Sequence, residues 1–200
     1  MKESISNELL DDLHSHIERD IAGGFLSPDQ IVESAVEVFS DDAEPEALRA
    51  EAVRATAQAS QAHSLAQSQW PSVTDCDRLD LAFAELDELG IVSRQNFTCC
   101  GTCGSGEILD EMDAAAAQGR DVIGYTFYHA QDTESAAEGC GVCLNYGTGK
   151  DDEGAAIEIA QKVVAVLEAH GLTTTWDGTW ERRIAVALDW KRRRGSASGA

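Results

Sequence analysis

The chain has 200 residues, of which 43% are hydrophobic, enough for one domain or for a compact domain with an appendage. Its formal net charge is −21: residues 1–90 hold 20 acidic residues against 5 Lys and Arg, and residues 91–200 hold 16 against 10. Such a surface repels nucleic acid and anionic lipid, so we expect neither direct nucleic-acid binding nor membrane association. No apolar run is long enough to span a membrane, and acids stand where a signal peptide has its apolar centre. We therefore expect a cytoplasmic protein.

The first 90 residues have a helical pattern. Apolar side chains recur at helical spacing over residues 5–22, and helices are predicted to start at Pro28 and Pro45 and to cover residues 75–89. The third of these segments is rich in alanine and extends to about residue 66. Its candidate core face consists of Leu48, Val53, Ala57 and Leu65. That face is weak, which is consistent with an exposed arm.

The pattern changes after residue 90, where apolar residues alternate. This alternation predicts strands over residues 91–97, 122–129, 141–146, 172–176 and 180–188. Asp177-Gly178 is a favoured tight turn and predicts a hairpin between the last two strands. Helices are predicted over residues 108–118 and 155–170, with a short helical turn after Asp132.

The predicted fold class is α+β, with a helical N-terminal region followed by a small mixed sheet of about five strands packed with helices. The chain accordingly divides into a helical region at residues 1–72, an α+β domain with a cysteine loop at residues 73–190, and a disordered tail at residues 191–200.

Cysteine spacing points to a thiolate site. Cys100-Gly-Thr-Cys103, followed by glycine, has the form of a zinc knuckle, in which backbone N–H groups turn toward two sulfurs. Cys140 and Cys143 have the same spacing, so the two pairs could together complete a tetrahedral four-cysteine site for zinc, the expected ion. A regular strand through Cys143 would turn this second pair to opposite faces. The alternative for that pair is therefore burial as small hydrophobic side chains.

His129 ends the clearest predicted strand and is the first reserve ligand. Asp132, three residues later, is a candidate to bind the same ion, to orient the histidine or to cap the following helical turn. The alternative for His129 is a hydrogen-bonded core histidine. Cys99 is the second reserve ligand, although adjacent cysteines seldom bind one zinc together.

The same cysteine motif, placed between a strand and a helix, is also typical of thioredoxin-type redox sites. Those folds place a cis-proline later in the chain, whereas Pro28, Pro45 and Pro71 all precede this motif. A standard thioredoxin fold is thus not expected, and a thiol switch on another fold is the remaining redox alternative.

Three motifs carry a resemblance to a known family. They are the cysteine cluster, a His-x-Gln-Asp step and a Trp-Asp-Gly hairpin, at Cys99, Cys100 and Cys103, at His129, Gln131 and Asp132, and at Trp176, Asp177 and Gly178. On these motifs, residues from about 90 to 194 resemble a family of uncharacterised bacterial proteins, domain of unknown function 6891. The resemblance implies no known activity and does not include Cys140 and Cys143. It does favour considering the cysteine loop and His129 together.

The leading functional hypothesis is a non-enzymatic protein with a structural zinc-type thiolate site, whose acidic surface meets a protein partner. The second hypothesis is an enzyme or redox sensor that uses Cys100 or Cys103 as nucleophile and His129 as base. The third is an acidic immunity protein or a nucleic-acid mimic, for which charge is the only evidence.

Overall fold

The structure is a computed structural model that describes residues 5–195. These residues form seven α-helices and five strands and divide into two compact units, one made of residues 5–72 with 191–195 and the other of residues 73–190. The predicted α+β class is confirmed, and every strand within the described range follows residue 90. None of the helices in this range is long and apolar enough to cross a membrane.

The first unit is a three-helix assembly. Helices α1 (Asn7–Gly23), α2 (Pro28–Val38) and α3 (Pro45–Gln67) start and end close to the predicted positions. Ser6 caps α1, Gly24 ends it in the left-handed conformation at φ 83°, and Ser27 with Gln30 forms a capping box on α2. The shared core contains Leu13, Ile17, Ile21, Ile31, Val32, Ala35, Ala52 and Ala55.

Helix α3 is not an exposed arm, because it packs on both α1 and α2. Of its predicted core face, Leu48 is buried, whereas Val53 and Leu65 are 54% and 71% exposed. The buried stripe instead runs through small residues. It comprises Leu48, Ala52, Ala55 and Thr56. Small side chains let the helix approach its neighbours closely, so apolar size was a poor guide to the packed face.

Residues 191–195 belong to the helical unit, although the sequence analysis assigned them to the tail. The Arg194 guanidinium donates to the carbonyl oxygens of Ile21 (3.1 Å) and Leu26, and its backbone N–H donates to Gln67 Oε1 (2.8 Å). The guanidinium of Arg192 lies 4.3 Å from the centroid of the Phe25 ring. The rest of the predicted disordered tail, residues 196–200, lies outside the described residues.

The second unit contains a five-stranded sheet and four helices. Its elements are α4 (Asp75–Glu88), β1 (Ile91–Arg94), α5 (Gly101–Ala117), β2 (Gly124–Phe127), α6 (Ala130–Ala137), β3 (Val142–Gly147), α7 (Glu153–Ala169), β4 (Thr173–Thr175) and β5 (Ile184–Ala187). The strand order is β1-β2-β3-β5-β4. β1 and β2 are parallel and are joined through α5, and the other neighbouring pairs are antiparallel.

Helices cover both faces of the sheet. On one face, Val92 and Phe127 form a core with Ile108 and Ala115 of α5. On the other face, Gly124 lies against the side chain of Ile159 in α7. Residues with odd numbers in β2 and β3, including Phe127 and its register partner Asn145, therefore lie on the α5 side.

Two local predictions were wrong in detail. Helix α5 begins at Gly101 rather than at residue 108, so Cys103 is helical and does not lie in a loop. The connection between β4 and β5 covers residues 176–183 and is longer than a tight two-residue turn, although Gly178 does have the expected positive φ of 83°. Asp177 Oδ1 accepts hydrogen bonds from the backbone N–H (3.0 Å) and hydroxyl (2.7 Å) of Thr179, which shapes this longer turn.

Candidate metal centre

The cysteine segment connects β1 to α5 and is fastened to the chain that leaves β2. The Phe97 N–H donates to the Tyr128 carbonyl (2.8 Å), and the Ala130 N–H donates to the Thr98 carbonyl (3.1 Å). Because β1 and β2 are parallel, the starts of α5 and α6 meet at the carboxyl edge of these strands. This edge is where open α/β sheets bind ligands.

The backbone just before the cysteines is strained. Asn96 has φ 50° and Thr98 has φ 58°, the two non-glycine residues with positive φ among those the structure describes. Asparagine tolerates this region, whereas a β-branched threonine is an outlier there. The Thr98 hydroxyl donates to the Cys100 carbonyl (3.1 Å) and helps to hold the turn. Strain of this kind concentrates at functional sites.

The start of α5 brings three sulfurs together. Cys100 is its N-cap residue and Cys103 lies in its first turn, while Cys99 precedes it. Among residues 5–195, these three form the one group of three or more His, Cys, Asp or Glu side chains whose ligand atoms all lie within 4.8 Å of one another. The sulfurs of Cys99 and Cys103 lie 3.6 Å apart. The sulfurs of Cys100 and Cys103 therefore lie within 4.8 Å of each other, and the third sulfur of the group comes from Cys99.

Two thiols of the cluster, Cys100 and Cys103, differ in acidity. The backbone N–H of Cys103, then the thiols of Cys103 and Cys99 and the backbone N–H of Thr102, lower the pKa of Cys100. The thiols of Cys99 and Cys100 raise the pKa of Cys103 to about 11, because its proton is shared with them. Cys100 therefore ionises before Cys103, and the start of α5 stabilises its negative charge.

The other predicted ligands occupy different places. Cys140 is exposed in the loop before β3, Cys143 is half-buried in β3, and His129 is buried at the N-cap of α6. None of these three belongs to the close group of ligand atoms found in residues 5–195. Their contribution to a metal site stays a prediction. Cys76 is buried in α4, as expected.

His129 lies in a polar cluster. Its Nε2 is 3.1 Å from Asp132 Oδ2 and 3.2 Å from Arg183 Nη1, and Arg183 Nη1 also donates to Asp132 Oδ2 (3.0 Å). Asp132 accepts the backbone N–H of His129 as well, so it both caps α6 and orients the ring. Burial lowers the pKa of His129, with Asp132 opposing this effect and Arg183 adding to it. The imidazole is therefore neutral at pH 7.

This cluster adjoins the first residue of α5. A β-carbon built on Gly101 would lie 3.6 Å from both Nε2 and Cδ2 of His129 and 3.9 Å from Asn145 Oδ1. His129 Nδ1 and Asn145 Nδ2 are buried, and neither has a hydrogen-bond partner within residues 5–195. Such orphan groups are rare away from functional or water-filled places.

Sequence reasoning missed Arg183 and Asn145 as members of this site. The register of β3 with β5 pairs Cys143 with Ala185, so Arg183 lies one two-residue step beyond, beside Asn145. The two-residue period of these strands carries this signal, but only once the pairing of β3 with β5 is known.

A three-thiol cluster on an α+β sheet edge defines the class of the molecule, a protein with a cysteine cluster that could hold a metal ion. The chain matches the family model described as a domain of unknown function, DUF6891, over residues 6–194, and it belongs to this family. The match includes the helical unit, which the motif-based resemblance over residues 90–194 left out. Searches of curated proteins and of solved structures gave no match.

Proposed function

We propose that Cys99, Cys100 and Cys103 bind one zinc-type metal ion at the start of α5. The observation that carries this proposal is the mutual separation of the three sulfurs, at most 4.8 Å. A tetrahedral zinc with Zn–S bonds of about 2.3 Å requires sulfurs roughly 3.7 Å apart. The 3.6 Å between Cys99 and Cys103 already meets this requirement, and the third sulfur needs only a small movement.

The electrostatics also support metal binding. Each thiol that binds the ion must first lose its proton. The pKa of Cys100 is lowered even without an ion, which favours this loss. The raised pKa of Cys103 arises from repulsion and proton sharing between neighbouring sulfurs, which a divalent cation would remove. We expect zinc binding to release protons and to weaken below neutral pH.

Three thiolates leave one position of a tetrahedral ion to fill. The candidates from the sequence are His129, Cys140 and Cys143. Of these, His129 adjoins Gly101, which lies in the first turn of α5 together with Cys103. If none of them binds, solvent takes the fourth position, since Cys99 and Cys103 are exposed.

Zinc titration of the reduced protein, followed by cobalt substitution, tests the proposal. We expect one ion per chain and sulfur-to-cobalt charge-transfer bands. Serine replacements of Cys99, Cys100 and Cys103, made singly, should each weaken binding, whereas Ser105→Ala, an exposed non-thiol change in the same helix, should not. Unchanged affinity in all three cysteine variants would refute the proposal. His129→Gln, Cys140→Ser and Cys143→Ser identify the fourth ligand by the loss that they cause.

A thiol-based enzyme is the second candidate, and the position of His129 favours it. A neutral imidazole beside the first residue of α5 places a potential base near Cys100, the thiol with the lowered pKa. Alkylation of the metal-free protein with iodoacetamide tests this function. Cys100 should react faster than Cys103 at pH 7, and His129→Ala should slow only the Cys100 reaction. Equal rates at both cysteines would contradict it.

We also propose that the acidic surface of the helical unit binds a basic protein partner. Asp41, Asp42 and Glu44, in the connection from α2 to α3, and Glu46, in the first turn of α3, are all exposed. Polylysine serves as a probe, and its binding should weaken with salt. Neutralising these four acids should reduce binding more than neutralising four exposed acids of the other unit. The control set is Glu107, Asp110, Asp113 and Asp121. Equal losses would indicate attraction by net charge alone and would refute a specific surface.

A further inference from the structure

Two of the three clustered sulfurs are in non-bonded contact with each other. Cys99 Sγ lies 3.6 Å from Cys103 Sγ, whereas a disulfide bond is about 2.0 Å long. Both side chains are exposed, so an oxidant in solution reaches them directly. Cys99 precedes the first residue of α5, and no helical hydrogen bond fixes its position.

The backbone just before Cys99 is strained. Thr98 has φ 58°, a strained value for a β-branched residue, so a shift of this backbone toward an ordinary conformation releases strain. The opposite partner, Cys103, is held in the first turn of α5. Disulfide formation therefore requires the Cys99 sulfur to move toward the Cys103 sulfur, which the helix holds in place.

We propose that Cys99 and Cys103 form a disulfide when the protein meets a hydroperoxide, and that this bond expels the metal ion of the proposed site. The first half stands on the sulfur geometry alone, and the second half rests on the proposed zinc binding. The disulfide leaves Cys100 and at most one further protein ligand, which are too few for a tetrahedral ion.

The reaction balances with a hydroperoxide as oxidant. The sulfur of one cysteine attacks the peroxide oxygen, the O–O bond breaks, and a sulfenic acid and an alcohol or water form. The second sulfur then attacks the sulfenic sulfur, and the S–O bond breaks as water leaves. Two thiols and one peroxide thus yield one disulfide, one alcohol or water and one water. The two thiol protons end on the two oxygen atoms.

Peptide mapping of the peroxide-treated, metal-free protein tests the first half. One disulfide should lower the free thiols from six to four per chain, with Cys99 linked to Cys103. Cys99→Ser and Cys103→Ser should abolish this linkage. Cys100→Ser should keep it, and so should Cys140→Ser, a matched control that removes an exposed cysteine outside the cluster. A disulfide between Cys100 and Cys103 would overturn the assignment. Loss of the Cys99–Cys103 disulfide in the Cys100→Ser variant would overturn it as well.

Zinc release from the zinc-loaded protein, followed with a chromogenic chelator, tests the second half. Peroxide should release the ion in proportion to the disulfide, and a thiol reductant should restore binding. Disulfide formation with retained zinc would overturn the displacement. A reduced protein that binds no zinc would instead refute the proposed function and the displacement with it, while the disulfide result would still decide the first half.

Discussion

Two of the three glycines in helix α5, Gly104 and Gly106, should respond in opposite ways to substitution by alanine. A β-carbon on Gly104 would lie 2.7 Å from Phe127 Cζ and closer still to Cε2, inside normal contact distance. Phe127 is fully buried and packs its ring against Phe97 and Tyr125, so it has little room to move. Nothing lies within 4 Å of a β-carbon on Gly106.

The size of the difference follows from two terms. Replacing a helical glycine by alanine stabilises by roughly 0.5–1 kcal/mol, because alanine loses less backbone entropy on folding. This term applies to both positions and cancels in their comparison. Overpacking against a buried ring costs about 1–3 kcal/mol and applies only to Gly104. Gly106→Ala should therefore stabilise the protein, and Gly104→Ala should be less stable than Gly106→Ala by about 1–3 kcal/mol.

Chemical denaturation of both variants, monitored by tryptophan fluorescence and circular dichroism, measures this difference. Zinc titration of the same variants adds a second readout, because Gly104 follows Cys103 directly and a shifted first turn should also separate the sulfurs. Equal stability of the two variants would refute the packing of α5 on Phe127. Equal zinc affinity with unequal stability would instead show that the thiol cluster tolerates a shifted turn.

Three further predictions concern other parts of the second unit. Gly178→Val should lower the free energy of unfolding by roughly 1–2 kcal/mol through backbone strain alone, since a β-carbon at this position would meet no atom within 4 Å. Gly178→Asn should lower the free energy of unfolding by less, because asparagine tolerates positive φ. An equal loss of stability in both variants would contradict this reasoning. Tyr146→Phe should lower the free energy of unfolding by about 1–2 kcal/mol, because the Tyr146 hydroxyl donates to the carbonyls of Thr179 and Arg182 (2.9 Å each). An unchanged denaturation midpoint would show that these hydrogen bonds contribute nothing to stability. Because the pKa of His129 is lower in the folded protein, the unfolded chain binds more protons at this residue than the folded one. The contribution of His129 to stability is therefore present above about pH 6.5 and is lost as the pH falls toward the folded-state pKa. His129→Gln should flatten the pH dependence of the melting temperature over that window, and an unaltered slope would contradict the assignment.

Helix positions were predictable because they depend on local periodicity and on caps. Ser27 with Pro28 marks the start of α2, and the structure starts it there. The packed face of α3 was not predictable from apolar size, since Ala52 and Ala55 pack through close approach. Likewise, the glycines around Cys103 indicated a loop. The contact of Gly104 with Phe127 explains why a helix forms despite them.

The candidate site was predictable only where its residues are neighbours in the chain. The spacing of Cys100 and Cys103 predicted that their sulfurs lie near each other, and they lie within 4.8 Å. Cys99 joins them through the positive φ of Thr98, which the identity of a threonine argues against. Arg183 reaches His129 across a strand pairing that depends on contacts far apart in sequence, which no local pattern encodes.

The segment from Thr98 to Gly104 departs from rules that most of the described helices obey. Among the described helices, α1, α2, α4 and α7 each have a Ser, Thr or Asp side chain that accepts a backbone N–H at the N-cap. Helix α5 has Cys100 there, no such hydrogen bond and no acid in its first turn. A serine or aspartate would stabilise this helix start by about 1 kcal/mol. The strained Thr98 adds a further cost. Local sacrifices of this kind are expected where chemistry, not stability, determines the residues. These departures from stability support the proposal that the thiols of this segment bind a metal ion.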